Sequence, residues 1–197
     1  MIYDGSIIER GGRRFRINLE PDQDSGPPWE NDDGGGIVSD WTSRDKRPGE
    51  RVLNQDSRYS RRYYDFAATV KRARKDGWDS EPYGTGTKGE RAARAVEQNF
   101  KFYRGWCNNQ WQYVGVCVTD VTDDENAETD YVHAVWGCES NYDEGLETYA
   151  NEFIDEILRE VAEAAAKEQH EAQEAAAKEQ HEAQEAAYWA DRDVITK

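Results

Sequence analysis

The chain is 197 residues long and carries 41 Asp and Glu against 25 Lys and Arg, a net charge of −16. That length accommodates one domain with a real core plus an extension. A field of that sign repels nucleic acid and anionic membrane surfaces and draws basic ones from a distance. No apolar run approaches the about 20 residues that a membrane-spanning helix requires, and Met1 leads straight into Asp4, Glu9 and a run of arginines, so neither a signal peptide nor a membrane anchor is expected. Three cysteines, Cys107, Cys117 and Cys138, are an odd number without CxxC spacing, which points to reduced thiols in a cytoplasm. The charge is unevenly placed. From Asp120 to Lys197 there are 23 acidic and 5 basic residues, a balance of −18, while Met1 to Thr119 holds 18 acidic and 20 basic, a balance of +2.

In chain order, Ser6–Arg10 and Arg13–Leu19 flank Gly11-Gly12, a pair able to take the positive φ angles of a tight hairpin. Residues 20–36 read as a loop with Pro27-Pro28, three successive glycines and Trp29 as its anchor. Asp22 and Asp24 have the spacing that opens a calcium loop, but the sixth position, where that loop needs glycine, is Pro27. Pro48-Gly49 marks a turn before Val52-Leu53. Arg58–Tyr64 reads as a strand, and Asp65 caps a helix over 66–76 that Gly77 stops. Arg58, Tyr59, Arg61, Arg62 and Tyr63 interleave cations with rings, the composition of a site that stacks bases and neutralises phosphates. Against that stands the chain's own acidic field, which opposes direct nucleic-acid binding. Gly84-Thr-Gly-Thr-Lys-Gly89 spells GxGxxG without the preceding strand that a dinucleotide fold supplies, so it reads as a linker into a helix over 90–105. Residues 110–121 and 129–139, apolar on both faces, form the clearest strand pair, joined by a turn over 123–127. His133 lies on the second of them with no histidine near it in sequence and reads as structural. Cys107 beside His133 would make a nucleophile and base, but no local residue singles the pair out. No catalytic residue, metal ligand or cofactor is assigned.

The stretch from Asn141 to Asp191 reads as one acidic helix. Leu146, Tyr149, Phe153, Ile154, Ile157, Leu158 and Val161 recur at offsets of three, four and seven, one helical face. The eleven residues Glu163–Gln173 are then repeated identically as Glu174–Gln184. Eleven residues span three turns at about 3.67 per turn, so equivalent positions stay on nearly the same face. Ala165, Ala172, Ala176 and Ala183 continue the stripe with methyl groups only. Glu163/Lys167 and Glu174/Lys178 have the favoured orientation for ion pairs one turn apart. The row Asp143, Glu144, Glu147, Glu152, Asp155, Glu156, Glu160, Glu163, Glu168, Glu171, Glu174, Glu179 and Glu182 is the candidate surface for a basic partner. The alanine stripe is the candidate contact of a homodimer or scaffold.

Several strings carry a resemblance: Gly26-Pro-Pro-Trp-Glu30, Asp33-Gly-Gly-Gly-Ile-Val-Ser-Asp-Trp41, Arg44-Asp-Lys-Arg-Pro-Gly-Glu50, Tyr64-Asp-Phe-Ala67, Trp106-Cys-Asn-Asn-Gln-Trp111 and Val135-Trp-Gly-Cys-Glu-Ser140. Together, over most of residues 26–158, they resemble a group of small accessory proteins of tailed bacteriophages and prophages. The resemblance implies a product made in the cytoplasm of an infected bacterial host and carries no active site across. The expected fold is α+β, an antiparallel sheet packed against helices with a long projecting acidic C-terminal helix. The expected organisation is a core over 1–142, the helix over 143–191 and a tail over 192–197. The expected function is non-enzymatic: binding and inhibition of a host protein with a basic surface, such as a nucleic-acid-binding defence component, by a DNA-mimic-like row of carboxylates. Self-association through the helix and nucleic-acid contact through 58–64 are the alternatives.

Overall fold

The computed structural model describes residues 2–31, 35–79, 85–123 and 132–195, with the side chains of the last helix described as far as Glu185. The elements are β1 (Ser6–Arg10), β2 (Arg13–Pro21), α1 (Pro28–Asn31), β3 (Glu50–Gln55), β4 (Arg61–Asp65), α2 (Phe66–Asp76), α3 (Lys88–Cys107), β5 (Tyr113–Asp120), β6 (Val132–Glu139) and α4 (Asp143–Ile195). The fold is α+β, with antiparallel sheets and a long C-terminal helix. Two compact units divide it: one takes Leu19–Val116 and Val135–Leu146, the other Ile2–Asn18, Cys117–Ala134 and Glu147 onward.

Four strands join in the order β1-β2-β5-β6. Gly11 and Gly12, with φ of +60° and +76°, close the β1–β2 hairpin, whose register pairs Ser6 with Ile17 and Arg10 with Arg13. The middle strands do not join this sheet, as a single-sheet reading of the sequence expects; β3 and β4 form a sheet of their own. The cause is local. The outer edge of β4 is already taken by isolated bridges from Val38 to Tyr64 and from Thr42 to Arg61, and a register irregularity between Val52 and Asn54 distorts β3. An edge so occupied offers no ladder to another strand. The loop between β5 and β6 falls at 124–131, outside the described residues.

The first unit is built on rings. Tyr64, Phe100 and Tyr103 are buried with Leu53, Ala73, Ala92 and Val96, and Trp29 and Phe66 pack against them. Tyr64 meets Phe100 edge-on at 5.4 Å and Trp29 meets Tyr103 at 5.7 Å, the arrangement that ring quadrupoles favour. Their hydroxyls are used: Tyr64 donates to Asn99 Oδ1 at 2.8 Å and Tyr103 accepts from the Gly36 amide at 3.2 Å. Asp65 caps α2 by accepting from the Ala68 amide at 2.8 Å, and Gly77 ends it at φ +79°. The glycine string before α3 serves a cap. Thr87 and Glu90 form a reciprocal capping box, and α3 begins at Lys88, two residues before the expected start.

In the second unit Phe15, Ile17, Val118, Val121, Ala150, Ile154 and Ile157 are buried. α4 runs to Ile195, past the end expected at Asp191, because no glycine or proline after Gly145 stops it. Its 53 residues span about 80 Å at about 1.5 Å per residue. Its packing stops at Val161: every residue from 162 to 185 is exposed. No helix among the described residues is long and apolar enough to cross a membrane.

Candidate functional site

The exposed part of α4 carries Glu163, Glu168, Glu171, Glu174, Glu179, Glu182 and Glu185 against Lys167 and Lys178. Taken at about 100° per residue, all seven carboxylates fall within an arc of about 160°, because an eleven-residue repeat returns to within about 20° of its starting direction. The alanines 165, 172, 176 and 183 share a strip beside that arc about 40° wide, and the glutamines share the remainder with Ala162, Ala166, Ala177 and His170. The surface therefore has sides: one acidic, one a bare methyl strip. The lysines belong to the acidic side and lean forward. Lys167 lies 3.9 Å from Glu171 and Lys178 lies 4.0 Å from Glu182. The pairs with Glu163 and Glu174 expected from spacing are not the ones formed among the described residues. A glutamate stands one turn to either side of each lysine, so rotamer differences of a flexible exposed chain decide between the two partners, and exposed pairs of this kind contribute little either way.

The acidic residues nearer the root are placed differently. Asp143 and Glu144 open the helix, where its dipole favours negative charge. Glu147 and Glu152 follow, half-buried and exposed respectively. Asp155 is bound by Arg10 of β1, whose Nη1 donates to Oδ1 at 2.8 Å, and the same guanidinium reaches Asn151. Glu156 receives Arg159 at 3.4 Å, and both Glu156 and Glu160 face the ring of His133. The predicted row is thus divided. Its first half is partly met by the protein's own cations, and the part after Val161 meets, among the described residues, only Lys167, Lys178 and the exposed His170, 3.9 Å from Glu174.

The Arg and Tyr segment is dispersed by the fold. Tyr63 is buried, its hydroxyl donates to the Arg44 carbonyl at 2.9 Å, and Arg44 stacks on its ring. The Arg62 guanidinium lies between the rings of Trp29 and Trp41, at 4.9 and 5.2 Å, with Nε buried. Arg61 is turned back toward the Arg58 carbonyl. Arg58 and Tyr59 remain at the surface, Tyr59 73% exposed. The strand expected over Arg58–Tyr64 begins only at Arg61, after a bend over 56–59, so Arg58 and Tyr59 lie outside β4 and the five side chains do not line one binding face.

Nearby in the same unit a cleft of about 390 Å³ is lined by Asp22, Asn54, Trp106, Cys107, Asn109 and Trp111, among others. Burial pushes the Cys107 thiol up from its ordinary value, against the opposing pull of Arg62, so it is held protonated and is a poor nucleophile. Asp22 does not wait for a cation. Its carboxylate accepts from the amides of Asp24, Ser25 and Gly137 and from the Ser25 hydroxyl, all within 2.9–3.1 Å, a turn-forming role. None of the three cysteines is joined in a disulfide among the described residues. What sequence reasoning missed is the convergence of His133 with Glu156 and Glu160; only the one-turn spacing of the two glutamates was visible in the chain. Compared with protein-family models, with curated proteins and with solved structures, the chain matches none.

Proposed function

We propose that this chain is a non-enzymatic binding protein that lays its acidic C-terminal helix against the basic surface of another protein, where a nucleic-acid backbone would otherwise lie. The observation that carries the reading is the unbroken exposed run 162–185, acidic over one side and met there by two lysines and a histidine alone among the described residues. Exposed carboxylates on a rigid helix need no reorganisation on binding and steer a cationic partner from beyond contact distance. In keeping with the phage resemblance of residues 26–158, the partner is a nucleic-acid-binding protein of the bacterial host, inhibited in its cytoplasm.

Magnitude narrows the reading. Residues 162–185 carry a net −5, which over about 36 Å is one net charge per about 7 Å, against one per about 1.7 Å along duplex DNA. The helix has about a quarter of the charge density of its model. It competes by fit and rigidity, and its complex has a shallower salt dependence than the partner's complex with DNA.

The test is a pull-down from bacterial lysate at low salt with the full chain, beside a variant with Glu163, Glu168, Glu171, Glu174, Glu179 and Glu182 changed to Gln. The reading expects a nucleic-acid-binding protein retained by the first and lost by the second, and displaced from DNA by the first. Equal recovery with both variants refutes it. An oligomer in light scattering that disappears when Ala172 and Ala176 become Glu would instead assign the helix to self-association.

A further inference from the structure

Outside the exposed acidic segment, ligating side chains converge at the root of the same helix. His133 of β6 stands over two glutamates one turn apart on α4: its Nε2 is 3.2 Å from Glu160 Oε2 and its Nδ1 is 3.5 Å from Glu156 Oε2. One ligand atom from each of the three residues lies within 4.8 Å of the others. We propose that His133, Glu156 and Glu160 form a binding site for a divalent first-row transition-metal cation of the zinc or manganese class.

Electrostatics gives the first argument. Two carboxylates at i and i+4 repel each other, and here both converge on one imidazole, a side chain that ligates first-row metals. A divalent cation bound by one ring nitrogen and one oxygen of each glutamate removes the repulsion and neutralises the pair at once. The donor set supports the same class of ion, since imidazole with carboxylates suits zinc, iron or manganese better than the oxygen-only cages of calcium.

Orientation gives the second. The His133 ring lies against Phe153, with centroids 5.7 Å apart, so its direction is set by packing within the second unit. Arg159 holds Oε1 of Glu156 at 3.4 Å, which turns Oε2 toward the ring. Such outer partners are what fix a ligand for a metal. The side chain of His133 is 21% exposed and those of Glu156 and Glu160 are 42% and 43% exposed, so an ion reaches the site and water completes its coordination. At metal–ligand distances of about 2.0–2.2 Å, neighbouring ligands stand about 3.0–3.5 Å apart. The ligand atoms, within 4.8 Å of one another, therefore have to close by about 1.5 Å around an ion.

The consequence is mechanical. On the wheel of α4, Glu156 and Glu160 lie within the arc later occupied by the free carboxylates, and the packed part of the helix ends one residue after Glu160. A bound cation therefore ties α4 to β6 where the exposed acidic segment begins.

The experiment uses the full chain, stripped with a chelator, and titrates it with zinc by calorimetry and with cobalt by visible absorption. The expected result is one equivalent bound, a rise in Tm on saturation, and a cobalt spectrum free of thiolate charge-transfer bands, which excludes the cysteines. Glu156→Gln and Glu160→Gln, both at partly exposed positions that preserve the fold by circular dichroism, each weaken binding at least tenfold, and His133→Gln does so further. A variant with His170→Gln and His181→Gln binds as the parent does. Absence of heat and of any Tm change up to millimolar zinc overturns the proposal. So does binding that survives the glutamate substitutions or disappears with His170 and His181.

Discussion

Glu50→Gln is the substitution that best tests how the first unit disposes of its basic residues. Glu50 is 8% exposed, and its two oxygens accept from Arg44 Nη2 and Nη1 at 2.6 and 2.7 Å and from the Arg47 amide at 2.8 Å. The hydrogen bonds from Arg44 hold its carboxyl below the usual value for glutamate, burial opposing them. Glutamine keeps the shape but sets an amide NH₂ against the guanidinium, donor to donor. Two charge-assisted hydrogen bonds are worth about 1.5–3 kcal/mol each. Arg44 retains 29% of its side-chain exposure, so water recovers part of that and the net cost falls to about 2 kcal/mol. For a chain of this size that is a fall in Tm of about 4–8 °C at pH 7, read by circular dichroism. The sign of the pH dependence follows from the depressed folded value. The stabilisation is complete above the unfolded pKa of about 4.3 and is lost as pH falls through the lower folded one. The gap between parent and variant should therefore close on acidification below about pH 4. A gap under about 1 °C at pH 7, or one that persists unchanged in acid, refutes the assignment.

Ile157→Ala removes a fully buried side chain and should cost about 2–5 kcal/mol, whereas Ala172→Gly, on the exposed part of the same helix, should weaken only the local helix, by about 1 kcal/mol that is not coupled to global unfolding, and so leave Tm nearly unmoved. Equal effects would mean that the exposed segment is packed. Gly36→Ala places a methyl 2.6 Å from the Tyr64 hydroxyl, and closer still to Asn99 Oδ1 and the Tyr64 ring edge, all in a closed core; urea titration should show a loss of several kcal/mol or no folded protein. Deletion of 174–184 shortens α4 by about 16 Å with only about 20° of rotation, so the unfolding midpoint should hold while partner binding weakens and its salt slope falls.

Local signals carried much of this architecture. The hairpin at Gly11-Gly12, the cap at Asp65, the stop at Gly77 and the apolar stripe ending at Val161 each lie within a few residues of what they determine. They were legible because turn chemistry and helical period are short-range properties. What escaped is long-range. Nothing in Val38 or Thr42 announces that they will occupy the edge of β4 and keep the middle strands out of the larger sheet. Nothing in Arg62 announces two tryptophans, one 33 residues before it and one 21. His133 and Glu160 lie 27 residues apart on different elements, and only the packing of α4 beside β6 makes them neighbours.

That packing also gives the acidic row its physical division. Carboxylates before Val161 sit where the second unit supplies counter-groups: Arg10 for Asp155, Arg159 for Glu156 and His133 for Glu156 and Glu160. Beyond it, every described side chain of α4 as far as Glu185 is exposed. A charge held against another element contributes little to steering a partner, whereas the exposed segment keeps a net −5 after Lys167 and Lys178 are counted and projects it over about a Debye length. Of the thirteen acidic residues singled out in the sequence, the six from Glu163 to Glu182 are therefore the ones whose neutralisation should weaken a complex with a basic partner. Substituting Asp155 should instead lower stability through Arg10, with binding unchanged in a filter or anisotropy assay. Comparable losses of binding from the two groups would erase the distinction between root and free segment.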